Sequence, residues 1–161
     1  MWKVRYHDSV VAGTGLAILS TTAGDNVNAS ASNNIINWNI DVELDTASFT
    51  HSTSTNPSRI YCLNAGSYSI SGSVVLVSSL LTVWSGSLKL RKNGSTVFAY
   101  GKPALSYLPV VAGNVKASID FEWMLDFAAN DYFEILCDRE NSLTGSITTS
   151  DNQSICNVLR L

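Results

Sequence analysis

Residues 66–76 read Gly66-Ser67-Tyr68-Ser69-Ile70-Ser71-Gly72-Ser73-Val74-Val75-Leu76. Serine holds every odd position from 67 to 73, while Tyr68, Ile70, Gly72, Val74 and Leu76 hold the even ones. Side chains of an extended chain alternate between its two faces, so this stretch has one apolar face and one hydroxyl face. It reads as a long, half-buried strand. The flanking sequence repeats the message. Upstream, Ile40, Val42 and Leu44 alternate with Asp41, Glu43 and Asp45, and Ile60 to Leu63 is a short apolar strand before an Asn64-Ala65-Gly66 turn. Downstream, Leu88 and Leu90 alternate with Lys89 and Arg91, ahead of Asn93-Gly94. Both residues of that dipeptide tolerate positive φ, which marks a two-residue hairpin turn returning through Val97 to Tyr100.

Lys116 to Phe127 sets Ile119, Phe121, Trp123 and Leu125 on one side. Ala128-Ala129-Asn130-Asp131 then turns the chain, and Phe133, Ile135 and Cys137 face inward. Pro103 and Pro109 bracket a loop. A short strand at Ile147 and a last one over Ser154 to Leu161 complete eight to ten strands at sandwich spacing. No window carries a helical stripe, and no internal repeat is evident. The expectation is an all-β antiparallel sandwich over residues 35–161. Residues 1–34 read as an extended N-terminal arm. Its apolar patch from Val10 to Leu19 is interrupted by Gly13 and Gly15, read as a flexible bend, and Ser20 to Asn34 reads as a polar linker. The patch is expected to pair as an edge strand or to dock on a neighbouring subunit.

The 161 residues suit one domain with a core of its own. Charged residues make up 14%, against about 25% in typical globular chains. The polar surface is therefore built from hydroxyls and amides, and weak self-repulsion permits close packing of subunits. A net charge of −3 with scattered Lys and Arg opposes nucleic-acid binding, which needs a basic stripe. Three widely spaced cysteines, Cys62, Cys137 and Cys156, fit neither a disulfide framework nor a zinc site. They read as small buried hydrophobes, with one disulfide as the alternative. No apolar run is long enough to cross a membrane as a helix. Met1 to Val10 lacks the apolar run of a signal peptide, so the expectation is a protein made in the cytoplasm that leaves it, if at all, on a particle.

Ile60-Tyr61-Cys62-Leu63-Asn64-Ala65-Gly66-Ser67-Tyr68-Ser69-Ile70, at the end of the run Phe49 to Leu76, resembles the signature of the C1q/TNF-like jelly rolls. Three further pieces follow in that family's order. Leu88-Lys89-Leu90-Arg91-Lys92-Asn93-Gly94 is similar to its strand and Lys-Asn-Gly hairpin. Leu125-Asp126-Phe127-Ala128-Ala129-Asn130-Asp131-Tyr132, within Met124 to Leu136, is similar to its Leu-x-Leu-x-x-Gly-Asp element, with Asn130 where glycine is usual. Ser154 to Leu161 resembles its closing strand. Ile36-Asn37-Trp38-Asn39, followed by Asp45 to Phe49, is similar to versions of the domain in phage particles. The resemblance spans about residues 36–161. It implies a ten-strand antiparallel jelly-roll sandwich, assembled as a homotrimer, with a binding or structural role and no active site. Residues 1–161 show no collagen-like repeat and are expected to carry neither membrane anchor nor signal peptide, unlike the animal members, which directs the expectation to virion proteins.

Catalytic chemistry finds little support. His7 lies in the arm and His51 in a Ser- and Thr-rich loop, both read as solvated, and no Gly-x-Ser-x-Gly elbow accompanies the serines. Gly13-Thr14-Gly15 lacks the spacing of a phosphate loop. Asp41, Glu43 and Asp45 share one strand face at roughly 7 Å spacing, too linear to wrap a cation. No catalytic residue, metal or cofactor is therefore assigned. The expected function is a homotrimeric decoration or cement protein on a phage capsid, located at the virion surface. Its arm would grip the major capsid protein or another virion protein through Trp2, Arg5, Tyr6, Val10, Leu16 and Ile18. Tyr132, Trp123 and Val75 are the expected trimer contacts. Trp84 and Tyr107 are expected in recognition loops, which matter for the alternative of a tail-fibre or spike head binding host-surface glycan.

Overall fold

A computed structural model describes residues 15–21, 34–78, 84–97, 106–108, 115–139, 147–150 and 152–161. They form twelve strands and no helix. All strand pairs are antiparallel, and they make two six-stranded sheets. In the first sheet β2 (Ile40–Leu44), β1 (Leu16–Ser20), β12 (Ile155–Arg160) and β5 (Gly66–Ser78) lie side by side. β9 (Val115–Phe127) runs along one whole edge of β5, while β12 and then β11 (Ile147–Thr149) share the other. The second sheet orders β3 (Phe49–Thr50), β4 (Ile60–Cys62), β10 (Asp131–Arg139), β6 (Trp84–Lys92) and β7 (Ser95–Val97), with β8 (Ser106–Leu108) also paired to β6.

The alternation read along β5 is the one observed. Tyr68, Ile70, Val74 and Leu76 are fully buried between the sheets. From the opposite sheet Leu88, Leu90, Phe133, Ile135 and Cys137 meet them. Phe49, Tyr68, Phe127 and Phe133 stack edge-on or tilted through the core at centroid distances of 5.5–5.8 Å, the geometry that aromatic quadrupoles favour. The three cysteines are buried and free. Burial pushes the Cys62 thiol up to about 12 and raises that of Cys156, so both are unreactive core groups.

Turn chemistry also follows the residues. Asn93 and Gly94 have φ of 48° and 79°, and Asn130 has 67°. The left-handed backbone at position 130 is one that glycine adopts freely and asparagine tolerates. Lys92 Nζ and Asn93 Nδ2 both reach Asp131, at 2.8 and 2.6 Å. These hydrogen bonds, Lys92 first, hold the Asp131 carboxyl down at about 2.

Four readings need correction. Leu16–Ser20, read as part of the arm, is an interior strand with β12 on one side and β2 on the other. Its inward residues Ala17 and Leu19 are fully buried, so apolar residues on both faces hid the period-two signal. Gly15 is no flexible bend. It is buried against Ser48, and a Cβ there would come within 2.2 Å of the Ser48 Cβ. The Asp41-Glu43-Asp45 row is interrupted, because the β1–β2 register shifts between Ile18 and Leu19 and leaves Val42 61% exposed. His51 is not solvated, since its side chain is fully buried. Its Nδ1 meets Asp41 Oδ1 at 2.6 Å and its Nε2 meets the Pro57 carbonyl at 2.9 Å, which fastens β2 to the loop before β4.

Candidate functional site

The sandwich has two outer faces, and the register fixes the composition of each. On the first sheet, outward residues line up in cross-strand rows. One row is Leu16, Leu159, Ser69 and Met124. The next is Ile18, Asn157, Ser71 and Glu122, with Glu43 beyond Ile18. A third is Ser20, Ile155, Ser73 and Asp120, and Val75 opposite Ser118 follows. The three central strands β1, β12 and β5 therefore present Leu, Ile, Val, Ser and Asn outward, with no charge. Acidic residues occupy only the flanking strands: Glu43 on β2, and Asp120, Glu122 and Asp126 on β9.

Every exposed large hydrophobic residue among the described ones belongs to this sheet or its end. Met124 is 64% exposed, Ile155 38%, Leu159 39%, Val42 61% and Leu161 54%. An uncharged centre with apolar side chains inside a charged rim is the anatomy of a protein–protein contact surface.

The second sheet's outer face is closed in a different way. Glu134 on β10 points away from the core yet is 1% exposed. Arg91, its cross-strand partner on β6, reaches Oε2 through Nε at 2.8 Å and through Nη2. Ser58 Oγ and Arg59 Nε donate to Oε1 at 2.9 and 3.3 Å. Arg59 lies 4.7 Å over the Tyr132 ring, which tilts against Tyr61 at 5.3 Å. Hydrogen bonds to Tyr61 and Glu134 raise the Arg59 guanidinium above its ordinary value. All acceptor positions of the buried carboxylate are thus engaged by charged or hydroxyl donors.

The residues singled out from sequence do not converge. Val75 is half-buried on the first sheet's outer face, beside the serine row. Trp123 faces the interior at 5% exposure, stacked on Phe121 at 4.8 Å. Tyr132 sits under Arg59 on the second sheet's outer face. Leu16 and Ile18 are half-buried on β1, whereas Trp2, Arg5, Tyr6 and Val10 lie outside the described residues. Trp84 and Tyr107 occupy strands instead of loops, on adjoining rungs in which Trp84 pairs with Leu108 and Ser85 with Tyr107. Met124, Ile155 and Leu159 were overlooked. Their outward parity was readable, since each falls out of phase with its strand's core residues.

Murine APRIL matches this arrangement in three crystal structures. The structure at pH 5.0 gives a TM-score of 0.58 at 10% identity, covering 92% of this chain and 99% of that one. Those at pH 8.0 and 8.5 give 0.56 and 0.54 at 11% and 10% identity over the same shares. The fold is a TNF-like jelly roll. No family model and no curated protein matches the sequence, so the likeness concerns the path of the jelly-roll backbone. Among the described residues no three His, Cys, Asp or Glu side chains gather as a metal site. The one described histidine has both ring nitrogens engaged.

Proposed function

We propose that the chain is a self-assembling structural module whose copies pack through the outer face of the first sheet into a homotrimer. The observation that carries this is the uncharged β1–β12–β5 strip, with Met124, Ile155 and Leu159 exposed beside it. In water such a face gains roughly 25 cal/mol for each Å² of apolar surface covered. A contact of standard size hides about 1,600 Å² in total. The acidic strands at its margins fix how copies meet, because like charges facing each other would be costly.

Within that reading, the low overall charge and the likeness of residues 36–49 to phage versions of the domain favour a virion decoration protein. It would sit on the major capsid protein with the segment before β1 as its grip. Sedimentation of the purified protein tests the assembly: about three times 17.4 kDa supports it, and a monomer at micromolar concentration overturns it. Removal of residues 2–14 tests the grip, because it leaves β1 in place. The shortened protein is expected to remain trimeric and to lose capsid binding. The Arg59–Tyr132 stack, on the face left outward, favours a second reading as a receptor- or glycan-binding head at a fibre tip. Copy number separates the two readings: many per particle for decoration, few for a tip.

A further inference from the structure

The β6–β7 turn carries chemistry that the assembly face does not use. Among the described residues four non-glycine positions hold positive φ: Asn56, Asn93, Asn130 and Asn152. Their successors differ. Pro57 has no N–H, Asp131 and Gln153 shield their backbone nitrogens with side chains, and Gly94 does neither. An asparagine carboxamide is open to attack by the next residue's backbone nitrogen, and glycine leaves that nitrogen unhindered. Asn93 is the chain's one asparagine followed by glycine, and both residues are exposed.

In the folded turn the carboxamide is held at both ends. Its Oδ1 accepts the Tyr132 N–H at 2.9 Å, and its Nδ2 donates to Asp131 Oδ1 at 2.6 Å. The Asn93 N–H also donates to the Tyr132 carbonyl at 3.0 Å. A side chain fixed through both polar atoms is not free to swing its Cγ onto the Gly94 nitrogen. Asp131 anchors this arrangement, since it also accepts the Ala128 N–H at 2.7 Å and pairs with Lys92 at 2.8 Å.

We propose that Asn93-Gly94 is a self-modification site held latent by Asp131, and that its conversion loosens the end of the sandwich where the two turns meet. The Gly94 nitrogen forms a bond to the Asn93 Cγ. The Cγ–Nδ2 bond breaks, and ammonia leaves with the proton lost from the Gly94 amide. Water then opens the succinimide to aspartate or isoaspartate, and no oxidant or reductant takes part. Aspartate sets a carboxylate where Nδ2 stood, 2.6 Å from Asp131 Oδ1, so attraction becomes repulsion between like charges. Isoaspartate instead carries Cγ into the backbone amide and frees the α-carboxylate, which removes the carboxamide that Asp131 held. Isoaspartate also adds a backbone methylene to a two-residue turn and shifts the Lys92–Ser95 pairing.

The test follows position 93 by peptide mapping and mass spectrometry during incubation in mildly alkaline buffer. Folded wild type, folded D131A and wild type unfolded in urea are compared. Conversion is expected to be fastest in the unfolded chain and slowest in the folded wild type. D131A is expected to convert about tenfold faster than wild type, the factor for one lost hydrogen bond to a charged group. Equal rates in the two folded proteins would overturn the latch, and an intact Asn93 in the unfolded chain would overturn the site. Where D131A does not fold, N93D replaces it: it must melt below wild type, and N93D/D131N must recover part of the loss. Melting of N93D together with wild type would overturn the coupling.

Discussion

Glu134 on β10 and the serines of β5 hold equivalent places, turned outward between core residues of the same jelly roll. Glu134 is buried, with Arg59, Arg91 and Ser58 folded onto it. Ser69, Ser71 and Ser73 lie in an uncharged strip flanked by exposed Leu159, Ile155 and Met124. One face satisfies its polar groups internally and completes itself within the chain. The other leaves apolar side chains exposed in the single chain. The difference teaches that burial and charge, considered face by face, distinguish a surface closed by the chain itself from one left open, which is the surface proposed above for assembly.

That contrast can be broken most severely at Glu134. Glu134→Ala leaves Arg91, whose side chain is 15% exposed, without its carboxylate. A loss of roughly 3–5 kcal/mol is expected, the usual consequence of uncoupling a buried pair. Thermal melting should fall by on the order of 10 °C, while sedimentation of the folded fraction should still give the trimer mass. Met124→Asp combined with Leu159→Asp should do the reverse. Both positions are exposed, so monomer stability should change by no more than ~1 kcal/mol, and the trimer should sediment as monomer. A double variant that stays trimeric would move the assembly surface elsewhere.

Tyr132→Leu sharpens the comparison at smaller scale. It removes the ring beneath Arg59 and should cost about 1 kcal/mol in a denaturant titration. It should leave the oligomer intact, in contrast to the expectation that first placed Tyr132 at a trimer contact. The smallest effect concerns acid. Asp131 is held at about 2 in the fold, below the ordinary aspartate value of about 3.9. Between those values the unfolded chain binds more protons, so stability rises with pH there. The contribution of Asp131 is complete above about pH 4 and is lost as pH falls through about 2. Unfolding of Asp131→Asn between those limits should show a shallower pH slope than wild type.

Much of the sandwich was legible because its strands keep one face polar. The Ser–apolar alternation of β5, the Lys89 and Arg91 positions of β6, and the Asn93-Gly94 turn all carried local signals. β1 carried none, because Leu16, Ala17, Ile18 and Leu19 are apolar on both faces. Glu134 drew no notice in the sequence because its partners Ser58 and Arg59 lie 76 and 75 positions away. His51 misled for a related reason, since Asp41 and Pro57 close over it only in the fold. The open outer face of the first sheet was the hardest to see. Trp123 and Tyr132 attracted notice as aromatics, whereas the face that is open consists of a methionine, two aliphatic residues and a row of serines.

The place of β1 has a consequence for synthesis. Its hydrogen-bonding edge is completed by β12, whose residues leave the ribosome about 140 positions later. Until they emerge, β1 and β5 each have an unsatisfied edge facing the gap that β12 will fill. On a crowded polysome those bare edges are open to the corresponding segment of a neighbouring nascent chain. The risk of strand exchange between siblings therefore persists until β12 emerges and fills the gap between β1 and β5.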